Sequence, residues 1–399
     1  MSGEKLKIIF IPAESLSINF SRSYFIYKEL SKLHTIYKLS WYDNRDVYWK
    51  GKKPSKFNTI GCFFKSLLQK TSIKKFNDNI YEVKTSIFID AFIGRILGQM
   101  TSKKLMRKYN SLVLKKLVKK IKPDVIFYAD GFYFFPAIKS KAKIISDLQD
   151  DYIFSNKLSV KNCEILYNYY RNQYSLSDLN FTISNSTKHS VEKKLKKQNI
   201  FKVVENGADF ELINSFNYAD ITSLKEKYNL LNKTILTYIG GELWFDKKFV
   251  QDLVTHCEKN LSDVQFLFIG NLPKINGRNV SNIGLVNPKI ASLFYRVSDV
   301  GLLLKDGRNS EFLYNSAPLK IIQYSAAKKP IITFPLNWLE KKHFENCIVT
   351  ESNDLDLWTK KINNAINFNW EKPLDEKWRN YSWRNKINTI NTEINNLFT

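Results

Sequence analysis

Apolar residues along this chain follow two alternating rhythms. Short apolar runs at Lys7–Ile11, Val125–Ala129, Lys143–Ser146 and Asn180–Ser184 read as strands buried on both faces. Longer stretches between them repeat with the helical period. Over Lys103–Lys122, the residues Leu105, Tyr109, Leu112, Val113, Leu117 and Ile121 are expected on one face, with lysines filling the other. Pro123 stops that helix, and Val125 opens the next strand. The second half repeats the scheme. Strands are expected at Thr234–Ile239, Val264–Ile269, Val300–Leu304 and Pro330–Thr333, and helices at Phe249–Asn260, Ile290–Val297, Leu319–Ala327 and Trp383–Leu397. No internal repeat interrupts the alternation, which predicts parallel sheets covered on both faces.

Length turns this into two bodies. A chain of 399 residues exceeds one ordinary core. The expected division is an N-terminal domain over 1–205, a C-terminal domain over 206–380, and a helix over 381–399 packing back on the first. The junction falls around Glu205-Asn206-Gly207. Two doubly wound domains in sequence predict a ligand cleft between them.

Composition excludes some classes and opens others. A hydrophobic share of 44% is too high for a disordered chain. Cys62, Cys163, Cys257 and Cys347 stand alone, without metal-ligand spacing, and imply a reducing compartment. The first apolar run, Ile8-Ile9-Phe10-Ile11, is a strand and too short for a signal peptide. The net charge of +24 is uneven. Residues 1–200 hold 37 Lys and Arg against 16 Asp and Glu, whereas residues 201–399 hold 25 against 22. The first half is therefore expected to face a polyanion: a nucleic acid, an anionic membrane or an acidic glycan.

Candidate chemistry concentrates in the second half. The run Thr237-Tyr-Ile-Gly240-Gly241 carries a strand into two glycines shortly before a helix. There backbone N–H groups can approach a phosphate, and the helix N-terminus adds positive charge. Taken alone, the same run also describes a plain strand–helix turn. Farther on, Asn315-Ser-Ala-Pro318-Leu-Lys320-Ile-Ile-Gln323 opens another helix. Pro318 suits its first turn. Lys320 lies near a positive helix end, where a lysine is unfavourable unless an anion is bound. Gln323 follows one turn later, and the pair suits a diphosphate and a ribose hydroxyl. An ordinary amphipathic helix with exposed Lys and Gln is the other reading.

In order and spacing these segments resemble the C-terminal domain of GT-B glycosyltransferases, from about Val203 to Thr333. Asn206-Gly207-Ala-Asp209 looks like that group's interdomain turn, and Tyr238-Ile-Gly-Gly with Trp244-Phe-Asp246 looks like its phosphate loop. Phe266 to Gly270 and Asn282 to Gly284 match strands around the base pocket. Pro318 to Pro330 resembles its P-x-K-x-x-[EQ]-Y-x-A-x-x-x-P stretch. The first half matches only in places. The resemblance implies the GT-B fold, an α/β architecture of two Rossmann-like doubly wound domains facing a cleft. It also implies transfer of a sugar from a nucleoside diphosphate donor, expected to be a UDP-sugar, bound by Gly240, Gly241, Asn315, Pro318, Lys320 and Gln323.

Departures refine the expectation. Retaining family-4 relatives carry Glu-x7-Glu where this chain has Asn315 and Gln323. The Lys320–Gln323 spacing is closer to inverting glucuronosyltransferases of xanthan-type assembly. An inverting transfer needs a base at the carboxyl end of an N-domain strand. Asp147-Leu-Gln-Asp150-Asp151 and Asp130 qualify, with Asp150 first, Asp151 second and Asp130 in reserve; a solvated acidic loop is the alternative. No cofactor and no catalytic metal are expected, because no Asp-x-Asp follows a strand as a metal-dependent transferase requires. Asp354-Leu-Asp356 reads as a helix start.

The apolar runs at 60–68 and 87–97, set among lysines, suit an anionic membrane surface or a buried helical core. The expected setting is cytoplasmic, peripheral on the inner face of the membrane. The expected acceptor is polyprenyl-linked or a glycan, in bacterial capsule, lipopolysaccharide or exopolysaccharide synthesis. Rival readings are a nucleic-acid-binding protein using the basic half, and a nucleotide-sugar epimerase. No nucleic-acid partner is expected, because zinc, RNP and helix-turn-helix patterns are lacking.

Overall fold

Two predominantly parallel sheets organise the chain. The computed structural model describes residues 5–12, 21–40, 67–87, 99–130, 135–149, 160–241, 245–304, 314–340, 342, 344–368 and 380–399. The first sheet contains β1 (Lys7–Pro12), β2 (Thr35–Ser40), β3 (Ser72–Lys75), β4 (Ile80–Lys84), β5 (Val125–Ala129), β6 (Lys143–Leu148), β7 (Leu179–Thr182) and β8 (Lys202–Val203). Their order is β3-β4-β2-β1-β5-β6-β7-β8. Only β3 runs antiparallel, as an edge strand beside β4. The second sheet contains β9 (Thr234–Ile239), β10 (Val264–Ile269), β11 (Val280–Gly284), β12 (Val300–Leu303), β13 (Ile331–Thr333) and β14 (Cys347–Val349). It is ordered β11-β10-β9-β12-β13-β14 and is parallel throughout.

With the edge strands β3 and β8 set aside, both sheets run third, second, first, fourth, fifth, sixth along the chain. This is the doubly wound order, and its direction of winding reverses between β1 and β5, and again between β9 and β12. The chain divides into two units. One comprises Met1–Ile153, Lys157–Val204 and Ile387–Thr399; the other comprises Phe154–Asn156 and Glu205–Lys386.

The strands are apolar on both sides because helices cover both faces. Every residue of β5 is buried, as are Ile8 to Ile11 of β1. Among the described residues the helices of the first unit include α1 (Arg22–Leu30), α2 (Gln99–Ile121), α3 (Val160–Leu176) and α4 (Asn185–Leu195). The second unit contributes α5 (Phe210–Asn214), α6 (Tyr218–Lys227), α7 (Lys247–Asn260), α8 (Pro288–Val297), α9 (Leu319–Ala326), α10 (Asn337–Glu340) and α11 (Leu355–Ile366). Side chains cap most of these starts. Ser21, Ser184, Asn217, Asp246, Asn287 and Asp354 each accept a first-turn N–H. Asp354 therefore opens a helix, as its sequence context implied.

Helix α2 corrects one expectation. Its buried stripe is Met106, Asn110, Leu114, Leu117 and Ile121, while Leu105 and Leu112 are 42% and 52% exposed. The chain carries two overlapping apolar stripes here, and the one that reaches the sheet includes a polar residue, Asn110. Burying Leu114, Leu117 and Ile121 stabilises by about 1.5–3 kcal/mol each relative to exposure.

The last helix, α12 (Trp383–Asn395), begins in the second unit and ends in the first. Its start is held by Ala208, which bonds both Tyr381 and Trp383 through the backbone. Its later turns bury Ile387, Ile390 and Ile394. Asn391 bonds His34, and Glu393 pairs with Lys202. Among the described residues no helix is long and apolar enough to cross a membrane. The apolar runs at 60–68 and 87–97 lie outside the described residues apart from residues 67, 68 and 87.

Candidate functional site

Strand β9 ends at the switch point of the second sheet, and Gly240-Gly241 follows it directly. Gly240 donates its N–H to the Ile269 carbonyl at 2.8 Å, continuing the ladder with β10 for one more residue. Nothing lies within 4 Å of where a Cβ on Gly241 would stand. Next to Gly240 the space is filled by Lys320: a Cβ there would lie 2.6 Å from its Cε and Nζ. Glycine at 240 therefore makes room for the ammonium, which also lies 5.1 Å from the centre of the Tyr238 ring. Residues 242–244 of the expected phosphate loop lie outside the described residues. The loop resumes at Phe245 and Asp246, and Asp246 caps α7 through the Phe249 N–H.

A second glycine shapes the same turn. Gly270, after β10, has φ +130°, a backbone conformation that side chains rarely adopt, and a Cβ there would lie 1.8 Å from the Gly240 carbonyl oxygen. Sequence reading treated Gly270 only as part of a strand match; its role is to let two strand ends touch.

Helix α9 brings its first turn to this place. Pro318 is its N-cap, just before the helix and not within its first turn as expected, and it offers no side-chain acceptor to the first N–H groups. Lys320 is the second helical residue, so the positive helix end and the ammonium lie together. The Asn206 side chain donates to the Ala317 carbonyl at 2.8 Å, tying the Asn206-Gly207 turn to the residue before Pro318. The Oδ1 of Asn315 accepts from Asn337 Nδ2 at 3.0 Å at the start of α10.

Gln323 is not the exposed amide that an amphipathic helix would carry. It is 4% exposed, and its Oε1 accepts a hydrogen bond from the Tyr295 hydroxyl at 2.5 Å. Tyr295 lies on α8, 3% exposed and packed edge-on against Tyr324. Burial pushes its hydroxyl pKa well above the usual tyrosine value, so it stays a donor. A buried hydroxyl proton requires an acceptor, and this one finds it in the Gln323 carbonyl. The amide therefore keeps its NH2 group, which has no partner among the described residues, as the half that a ligand can meet. Below it Tyr324 donates to the Thr237 carbonyl, and Thr237 bonds Ser298, so buried hydroxyls fix the floor of the site.

The first unit treats its own switch point differently. Asp130 follows β5 with φ +55°, is 3% exposed, and its carboxylate accepts the Gln149 N–H at 3.1 Å. Asp147, expected in an acidic loop with Asp150 and Asp151, instead lies inside β6 at 0% exposure. Arg22 holds both its oxygens at 2.8 Å from the first turn of α1. Sequence reading did not single out Arg22. Its signal was an arginine placed one residue after the capping serine of an apolar helix. Asp150 and Asp151 themselves lie outside the described residues. Asp130 anchors Gln149, the residue that precedes them.

The architecture, two doubly wound units covering the chain end to end, is the GT-B glycosyltransferase fold. Solved structures similar to it over nearly the whole chain include a sucrose-phosphate synthase from Thermosynechococcus elongatus (TM-score 0.70, 11% identity, 99% of each chain). HepE of Anabaena in complex with UDP and glucose is similar at TM-score 0.61 and 12% identity, again over 99% of each chain. A UDP-forming trehalose-phosphate synthase from Burkholderia xenovorans is similar at TM-score 0.64 and 9% identity, over 99% of this chain and 100% of the other. No family model matches the sequence, and no curated protein sequence matches it.

Proposed function

We propose that the chain is a glycosyltransferase that takes a sugar from a UDP-sugar. The donor nucleotide is bound at the switch point of the second unit by Gly240, Gly241, Lys320 and Gln323, with Pro318 setting the helix end. The observation that carries the reading is the Lys320 ammonium lying over Gly240 at the helix N-terminus. Positive charge there, with open space beside Gly241, supports a diphosphate at this end of the sheet. The UDP in the solved HepE structure supports the choice of nucleotide.

Transfer proceeds with inversion, and Asp150 is the base. It removes the proton of an acceptor hydroxyl, whose oxygen attacks the anomeric carbon from the face opposite the diphosphate. The bond from that carbon to the phosphate oxygen breaks, and the electrons leave with UDP, stabilised by Lys320 and the α9 N-terminus without a metal ion. Asp151 stands second as base, and Asp130 fixes the strand exit that carries both. The acceptor is a polyprenyl-linked or polysaccharide glycan of bacterial surface polymer synthesis, and the enzyme works peripherally at the inner face of the membrane. A screen of UDP-sugars and acceptors, followed by NMR of the product linkage, tests this. A product with inverted anomeric configuration, formed about 10²–10⁴-fold more slowly by Asp150→Asn, is expected. Retained configuration would end the inverting mechanism, and a free epimerised UDP-sugar as the only product would end the transferase reading.

A further inference from the structure

The outward face of α2 has an order that solvent alone does not explain. At about 100° per residue, Leu105 and Leu112 point within about 20° of one another. They point about 140° and about 160° away from the middle of the buried stripe of Met106, Asn110, Leu114, Leu117 and Ile121. The outward face of the helix therefore carries both leucines beside Lys119, which points directly away from the buried stripe. Lys104, Lys108, Lys115 and Lys119 flank them on one side, and Lys116 and Lys120 on the other, all exposed. Helix α2 contains no acidic residue, and none of these six lysines has an ion-pair or hydrogen-bond partner among the described residues. From Leu105 to Lys119 the face is about 21 Å long.

We propose that this face of α2 docks the first unit on an anionic phospholipid bilayer, with Leu105 and Leu112 entering the boundary between headgroups and acyl chains and the flanking lysines paired to lipid phosphates. Apolar residues central and cations lateral is the pattern of an interfacial helix, because lysine stems reach outward to phosphates while the leucines go deeper. A nucleic acid would pair with the lysines and leave both leucines in water, so the leucines decide between the two polyanions. The proposal deepens the peripheral-membrane reading given above by naming the surface that carries it; it does not depend on the donor site.

Co-sedimentation of the full chain with vesicles containing phosphatidylglycerol, and with pure phosphatidylcholine vesicles, tests it. Wild type should prefer the anionic vesicles and lose binding as salt rises. The variant K108Q/K115Q/K119Q should bind about 100-fold more weakly, at about fivefold per lysine near a charged surface. The neutral variant L105S/L112S should bind at least about tenfold more weakly with its thermal midpoint unchanged, because both leucines are already exposed. If wild type binds anionic vesicles and either variant binds equally well, this face is not the docking surface, while the membrane reading stands. If wild type binds no vesicle, or binds duplex DNA more tightly than vesicles, both fall.

Discussion

The two units share a strand order and treat their switch points in opposite ways. At the end of β9 the second unit leaves space beside Gly241, a lysine fills the side of Gly240, and the Gln323 NH2 group has no partner among the described residues. At the matching place the first unit fills the space with side chains. Arg22 and Asp147 form a fully buried ion pair, and Asp130 clamps the next turn. One switch point is the proposed anion site. The other supplies its own anion and cation and uses them to hold loops. Fold alone therefore does not make a binding site, and under the proposed function the residues at strand ends decide which of two similar sheets takes the nucleotide.

The largest effect should come from breaking the sealed site. Arg22→Met leaves Asp147 charged and uncompensated at 0% exposure, and should destabilise the first unit by about 3–5 kcal/mol in urea unfolding. A loss under about 1 kcal/mol would mean that the pair is solvated. Next comes the open site's backbone. Gly270→Ala combines an unfavourable φ with a contact onto the Gly240 carbonyl and should cost about 2–4 kcal/mol. Wild-type stability in that variant would show that the two strand ends do not meet as described.

Smaller changes sharpen the contrast. Tyr295→Phe keeps the buried ring but removes the proton that orients Gln323. UDP should then bind about 0.5–1.5 kcal/mol more weakly by calorimetry, with the unfolding midpoint little moved. Unchanged affinity would separate Tyr295 from the ligand. Glu205 probes a polar cluster within the second unit. Burial raises its pKa, but the bonds from Lys342 and Trp338 and the charges of Lys342 and Lys386 outweigh that and bring it below 4.5. A depressed carboxylate pKa stabilises the fold above the unfolded value, and that contribution fades as pH falls through the folded one. Glu205→Gln should therefore melt below wild type at pH 7, with the gap closing under about pH 4. A gap that widens on acidification would reverse the sign.

Much of the second unit was legible because its signals are local. Thr234–Ile239 running into two glycines, and Pro318 followed by Lys320, name an element and its end within a few residues. What stayed hidden depends on partners far along the chain. Tyr295, inside the helix expected over Ile290–Val297, drew no notice in the sequence, because its hydroxyl meets Gln323 28 residues away. Arg22 and Asp147 are 125 residues apart, and nothing in either neighbourhood announces the other. The strands β2 and β4 went unread because their alternation is half polar, as in Thr35-Ile-Tyr-Lys-Leu-Ser. In α2 the buried Asn110 made the wrong stripe look like the core side. Asp150, the proposed base, rests on sequence context and on its neighbour Gln149, which Asp130 holds.

The central claim is that the open switch point of the second unit binds a nucleoside diphosphate through Lys320. Calorimetric titration of UDP into wild type and Lys320→Ala tests it most directly. The account predicts saturable binding of UDP to wild type, weakened by about 1–3 kcal/mol in the variant, the range for a charged hydrogen bond. Equal affinity for both proteins, or no binding to wild type, would contradict it.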